Sequence, residues 1–193
     1  MTGYDTDALI AGLKSGDTSA FDTLVDSFSH RLMRFLVRLV GSRETAEDLL
    51  QEVFLRVVRA APRLDEKKSE LKAWLFQIAY NIAVDHLRRQ RTGREAQSEI
   101  ISRAGAVTET PLEAAEKREV QKRMKEAVAS LPDDQRAVFL LREESGLKFK
   151  EIAKILDCPL NTALGRMRYA MENLRKTLAP QTSGQGSEKN RKR

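Results

Sequence analysis

The chain has 193 residues, 41% of them hydrophobic, 32% charged and only 6% aromatic, a mixture that suits soluble helices better than a sandwich or barrel of aromatic and β-branched strands. A single cysteine excludes an intramolecular disulfide framework, and with two distant histidines it argues against a zinc site, which usually needs four close N or S ligands. The 34 Lys and Arg against 28 Asp and Glu give a net charge of +6, which makes a polyanionic partner plausible without requiring one. The first seven residues carry acids and no basic, apolar signal region, and no apolar run approaches the roughly 18 residues of a membrane span, so a cytoplasmic protein is expected. Phe21, Leu24, Val25, Phe28, Leu32, Phe35, Leu36 and Leu39 then recur at three and four, a helical stripe that stops near Gly41. Ser42 reads as an N-cap for a second stripe, Ala46, Leu49, Leu50, Val53, Phe54, Val57 and Val58, which ends at Pro62. After a charged loop at 65–70 comes a third stripe through Leu71, Trp74, Leu75, Ile78, Ala79, Ile82, Ala83 and Leu87.

Residues 91–111 mix Gly, Ser, Thr and Pro without a sustained period and read as a linker. Beyond it, Val120, Met124, Ala127, Val128 and Leu131 close one helix. Pro132 with Asp133 and Asp134 opens the next, acids being favourable at a helix start, and Gly146 is its expected C-cap. A short helix at 148–156, a tight turn at 157–160 and a final helix from Asn161 to about Leu178 complete the ordered chain, and a Gly, Ser and Gln segment followed by basic residues reads as a disordered tail. No segment alternates like a strand. The expected fold is all-α, two small helical domains joined by a flexible linker, the second a helix-turn-helix. Charge follows this division: residues 1–111 hold 16 basic and 16 acidic side chains, residues 112–176 hold 14 and 11, and the rest hold four and one.

Three constellations carry chemistry. In the last two helices, burying Ile152, Ile155 and Leu156 against Ala163, Met167, Ala170 and Leu174 leaves Asn161, Gly165, Arg168 and Glu172 along the outer line. Thr162, Leu164, Arg166 and Tyr169 lie on its flanks. A short helix, a tight turn and a second helix with a small, polar N-terminal outer face is how a recognition helix enters a major groove, and Arg166, Arg168, Arg175 and Lys176 can neutralise phosphates. Two packed helices with a solvated basic face are the alternative. Tyr80, Asn81, Asp85, Arg88, Arg89 and Arg91 follow Trp74 on the third stripe, a mixture suited to opened DNA, because aromatic rings stack on exposed bases while Arg pairs with phosphate. A core Trp and an Arg cluster that complements the helix dipole would look the same. On DLLQEVFLRVVR at 48–59, Asp48, Gln51, Glu52, Leu55, Arg56 and Arg59 lie off the apolar stripe. Leu55 is a large apolar residue there, which a protein partner would cover, although a lone exposed Leu is common. Catalysis has no basis: His30 and His86 are isolated, Cys158 lies in a turn, Glu143 and Glu144 look like a solvated pair, and neither a nucleophile elbow nor a glycine-rich phosphate loop is present. No enzyme activity, cofactor or metal is expected.

Four stretches in order, AFDTLVDSFSHRLMRFL, AEDLLQEVFLRVVR, LKAWLFQIAYNIAVDHLRRQR and SLPDDQRAVFLLREESGLKFKEIAKILDCPLNTALGRM, resemble the extracytoplasmic-function sigma factors of bacterial RNA polymerase over about residues 8–178. The resemblance implies a non-enzymatic subunit that binds core RNA polymerase, directs initiation at particular promoters and is held by an anti-sigma factor. It implies a region 2-like domain at 8–91, a linker at 92–111, a region 4-like helix-turn-helix domain at 112–178 and a basic tail at 179–193. Docking on the polymerase core falls to Asp48, Leu49, Gln51, Glu52, Leu55, Arg56 and Arg59. Reading and opening of the minus-10 element falls to the 65–70 loop with Lys67 and Lys68, which captures a flipped base, and to Trp74, Tyr80, Asn81, Asp85, Arg88 and Arg89. The minus-35 element falls to Lys148, Asn161, Thr162, Leu164, Gly165, Arg166, Arg168 and Tyr169. A linker of about 20 residues spans at most roughly 65–70 Å, enough to bridge sites a couple of DNA turns apart at about 34 Å per turn. Leu64 and Leu71 stand where the family's loop flanks are usually aromatic, and Ala163, Leu164 and Gly165 replace a common Val, Lys or Arg, and Ser. Lys148 stands where a Ser N-cap is common. A sigma-like decoy that binds an anti-sigma factor would lack the basic residues of both DNA-facing regions. An autonomous helix-turn-helix regulator would leave the docking stretch unexplained.

Overall fold

Capping decides where the first helices begin and end. In the computed structural model, which describes residues 5–64, 71–94 and 113–179, α1 (Thr6–Ser15) starts on the Asp5 side chain, which accepts from the Asp7 amide at 3.0 Å. It stops at Gly16 with φ +77°. The apolar stripes begin after this helix, yet its Leu9, Ile10 and Leu13 are buried. Helix α2 (Thr18–Val40) starts on Asp17 and stops at Gly41, φ +81°. Ser42 then caps α3 (Arg43–Ala60), its hydroxyl accepting from the Thr45 amide at 3.2 Å. A 3₁₀ turn at Ala61–Arg63 carries Pro62 and ends the element. Helix α4 (Leu71–Arg94) runs three residues into the expected linker. The rest of that linker to residue 112, the 65–70 loop and the tail from residue 180 lie outside the described residues.

In the second half, α5 (Glu113–Ala129) leads to α6 (Asp133–Leu140), which widens into a π turn at Leu141–Ser145 before Gly146 ends it at φ +66°. Helix α7 (Phe149–Ile155) and helix α8 (Leu160–Leu178) follow. Among the described residues every regular element is helical, as the patterning predicts.

The apolar stripes face one another. Leu24, Leu32, Phe35 and Leu36 of α2, Val53 and Val57 of α3, and Leu75, Phe76 and Ala79 of α4 are fully buried, and Phe35 meets Phe76 edge to face at 5.5 Å. Burying a side chain of this size stabilises by about 1.5–3 kcal/mol. Ala137 to Leu141, Leu147, Ile152 and Leu174 are buried in the second half, Val138, Leu140, Leu141, Leu147 and Ile152 of them fully. The two halves are not separate beads: α2 packs on α6 and its π turn, and α4 packs on α7, so the buried residues of both form one cluster.

Four stripe members sit at the edge rather than inside. Val25, Val58, Val120 and Met124 are exposed, because a stripe of three to four positions per two turns leaves its flanks half in water. Glu144 departs in the other direction. Expected in solvent beside Glu143, it is 6% exposed, because the π turn and the contact with α2 bring it under two arginines.

Candidate nucleic-acid interface

The turn between α7 and α8 is built from backbone hydrogen bonds. The Leu156 amide donates to Ile152, that of Asp157 to Lys154 at 3.3 Å, and that of Cys158 to Ala153 at 3.0 Å. Asp157 lies at φ +46°, a left-handed conformation that short polar side chains tolerate better than most. Pro159 then enters α8 with φ −58°. Ala153 on α7 and Ala163 on α8, both buried, let the two helices approach closely. At the start of α7 the Lys148 amide donates to the Glu151 carboxylate at 2.7 Å, so an acid one turn along serves a helix start that lacks a Ser or Thr cap.

Helix α8 turns Ala163, Ala170 and Leu174 inward and leaves Asn161, Thr162, Leu164, Arg168 and Tyr169 exposed, as the spacing predicts. Arg168 lies 5.0 Å from the centroid of the Tyr169 ring and 3.7 Å from Glu172. Gly165 has open space where a Cβ would stand. Arg166 is less free. It pairs with Asp134 of α6 at 2.5 Å.

Along α4 the expected minus-10 residues fall on two adjacent faces. Asn81, Asp85, Arg88 and Arg89 are exposed, with Trp74 half-buried a turn and more away. Tyr80, Val84, Leu87 and Arg91 form the neighbouring stripe, which with Arg88 lines a pocket shared with Leu39, Asp133, Asp134, Arg136 and Ala137. Arg91 pairs with Asp133, whose other oxygen takes Arg136 at 2.6 Å. Burial pushes the Tyr80 phenol above its ordinary value, and Asp134 pushes it further while Arg166 pulls it back. Lys67 and Lys68 lie outside the described residues.

On α3, Asp48, Gln51, Leu55, Arg56 and Arg59 are exposed and Glu52 is half-exposed, paired with Arg56 at 3.1 Å. Leu55 is 56% exposed with Val58 beside it at 49%, an apolar spot rimmed by charge that the sequence flags through Leu55 alone. Leu49 is buried and supports this face from below. Next to it, Ser29, His30, Met33, Glu47, Leu50 and Gln51 line a shallow groove between α2 and α3, which no single apolar stripe encodes because it pairs residues of two helices.

Comparison with known proteins places the chain in a family. Sigma-70 region 2 matches residues 24–92, from α2 to the end of α4, and Sigma-70, region 4 matches residues 121–174, which take in α7, the turn and most of α8. The RNA polymerase sigma-H factor of Pseudomonas aeruginosa is 31% identical over 188 residues, covering 93% of this chain and 97% of its own. The ECF RNA polymerase sigma-E factor of Escherichia coli K12 is 32% identical over 184 residues, covering 89% and 93%. The chain belongs to the extracytoplasmic-function sigma factors.

Solved structures agree on the fold. The sigma factor RpoE of Bartonella quintana, in complex with the anti-sigma factor NepR, superposes with a TM-score of 0.70 at 23% identity, covering 83% of this chain and 98% of its own. CnrH, in complex with the cytosolic domain of CnrY, gives 0.67 at 23%, covering 90% and 97%. As a sigma factor this chain is a promoter-specificity subunit of RNA polymerase and acts in transcription initiation. Among its described residues no helix is long and apolar enough to cross a membrane, and no group of three or more His, Cys, Asp or Glu is placed to hold a metal ion.

Proposed function

We propose how this sigma factor divides its work. The outer face of α3, with Asp48, Gln51, Glu52, Leu55, Arg56 and Arg59, docks on core RNA polymerase. The 65–70 loop and α4, through Trp74, Tyr80, Asn81, Asp85, Arg88 and Arg89, take the opened minus-10 element. Helices α7 and α8 read the minus-35 element as duplex, through Lys148, Asn161, Thr162, Leu164, Gly165, Arg166, Arg168 and Tyr169. Residues 8–91 and 112–178 are the two working units. The chain is no enzyme, acts in the cytoplasm, and is held in reserve by an anti-sigma factor, a kind of partner that RpoE of Bartonella quintana has in NepR.

One observation carries the reading most: α8 presents Asn161, Thr162, Leu164 and Arg168 outward from a tight turn, the geometry that lets a helix N-terminus enter a major groove. Leu164 gives that face an apolar contact suited to a thymine methyl in place of a cation suited to guanine. The test is reconstitution. With core polymerase and a promoter library, the wild-type chain directs new start sites, and D48R with E52R abolishes binding to core. Core binding that survives both reversals moves the docking face off α3, and the absence of any new start site refutes the reading.

A further inference from the structure

We infer that Asp134 is a positioning residue for promoter recognition: by holding Arg166 it fixes the roll of α8 about its own axis, and so the direction in which the outward side chains of α8 project. Two side-chain ties join α6 to α8. Asp134 pairs with Arg166 at 2.5 Å, and the next residue, Gln135, accepts from Asn173 Nδ2 at 2.8 Å. Seven positions, two turns and about 10.5 Å of helix separate Arg166 from Asn173, so both ties grip one face of α8. Asp133 takes Arg91 and Arg136 instead, which leaves Asp134 to α8.

Apolar packing alone sets that roll loosely. On its inner side α8 presents Ala163 and Ala170, both without exposed surface, and the burial of such small side chains is non-directional. Helix α6 is a firm base for the ties. Its Val138 and Leu140 are fully buried, and Arg136 Nη1 donates to the Ala129 carbonyl at the end of α5 at 2.9 Å. Side chains reach about 5–6 Å from a helix axis, so a roll of about 20° moves their ends by about 2 Å, against a tolerance of about 0.5 Å in a working site. Exposure separates two neighbouring arginines. The Arg168 side chain is 68% exposed and that of Arg166 28%, so Arg168 is presented to a partner while Arg166 is engaged within the second half. The inference rests on the reading of the minus-35 element by α8 proposed above, and within that reading it moves Arg166 from contact to support.

The experiment uses the full-length chain with core polymerase and a pool of promoter duplexes randomised across the minus-35 segment, with bound and unbound fractions sequenced. Wild type prefers some sequences strongly. D134N and R166M each lower that preference about fivefold or more, the size of one good base contact, and the double variant loses no more than either single one, because both break the same tie. D134E, which keeps the carboxylate, retains most of the preference. The melting temperature shifts by no more than about 4 °C, since a pair this exposed contributes little to stability. On the best-bound duplex the slope of log affinity against log salt stays at its wild-type value in R166M, whereas loss of a phosphate contact would flatten it by about 0.9.

A flatter slope in R166M with preference intact makes Arg166 a phosphate contact and overturns the inference. A steeper slope in D134N does so too, since Asp134 would then only withhold Arg166 from the phosphates. Preference that survives D134N but falls in R168A overturns the positioning role and leaves the reading by α8 standing. A wild-type complex without sequence preference in this segment refutes that reading itself.

Discussion

Replacing Gly165 with alanine separates what α8 does for the fold from what it does for DNA. Gly165 is an interior residue of the helix, where glycine costs about 1 kcal/mol against alanine. A Cβ there meets nothing within 4 Å, so no clash offsets the gain. G165A therefore stabilises the free protein by about 0.5–1 kcal/mol, which raises the melting temperature by roughly 1–4 °C for a chain of this length. With α8 in the major groove as proposed above, Gly165 lies on the face turned to the duplex and the sign reverses on DNA, because a methyl group forced into a close contact costs roughly 1–3 kcal/mol, about 5- to 160-fold in affinity. Thermal denaturation followed by circular dichroism reads the first effect, and titration of a minus-35 duplex with the reconstituted polymerase reads the second. A lower melting temperature would refute the open environment of residue 165. Unchanged affinity with the expected rise in stability would make the glycine a weak point in the helix and no approach point for DNA.

Gly12 should behave in the opposite way. A Cβ there stands 2.6 Å from the Cβ of Ala20, well inside the 3.5–4.0 Å optimum, so G12A destabilises by about 1–3 kcal/mol despite its better helix propensity; adding A20G recovers most of the loss in urea denaturation. S42A removes the cap of α3 and costs about 0.5–2 kcal/mol in the same assay. The Tyr80 phenol titrates above its ordinary value of 10.0, chiefly through burial and then through Asp134, with Asp133 and Cys158 adding to the rise and Arg166 opposing it. Its neutral form is the one the packed state favours, so its contribution is complete below pH 10 and is lost as pH climbs from there through the raised value. Phenolate absorbance in a chain with Y4F and Y169F shows the raised titration. An ordinary titration contradicts the burial of Tyr80.

What the sequence could show was whatever repeats over one or two turns. The stripes of α2, α3 and α4, the Ser42 cap, the stop at Gly146 and the outward set on α8 were all legible because each depends on residues within four positions of one another. Helix α1 was legible in principle: Leu9, Ile10 and Leu13 lie between an Asp cap and a glycine stop, but the helix is short and its acids dominate the reading. Glu144 was not legible at all. Its environment is made by Arg34 and Arg38, 110 and 106 positions earlier, and no local period encodes that meeting. The same holds for the pocket between α4 and α6, which exists only because two separately patterned halves pack together. Along α4 the spacing places Tyr80 and Asn81 on neighbouring faces, but only the packing reveals that one is covered and the other free.

The joint between α2 and α3 has a consequence for whatever lands on α3. Gly41 and Ser42 turn the chain with no spare residue: the Gly41 amide closes α2 onto Val37 at 2.9 Å, and the Ser42 hydroxyl opens α3. Val53 and Val57 then pin the new helix to the core with no exposed surface of their own. The direction in which Asp48, Gln51 and Leu55 project is fixed before any partner arrives. Ordering a loop and its side chains on binding costs about 0.5–1.5 kcal/mol for each immobilised side chain. Here the backbone share of that entropy is lost during folding, and a partner has only the tips of a few long side chains left to still.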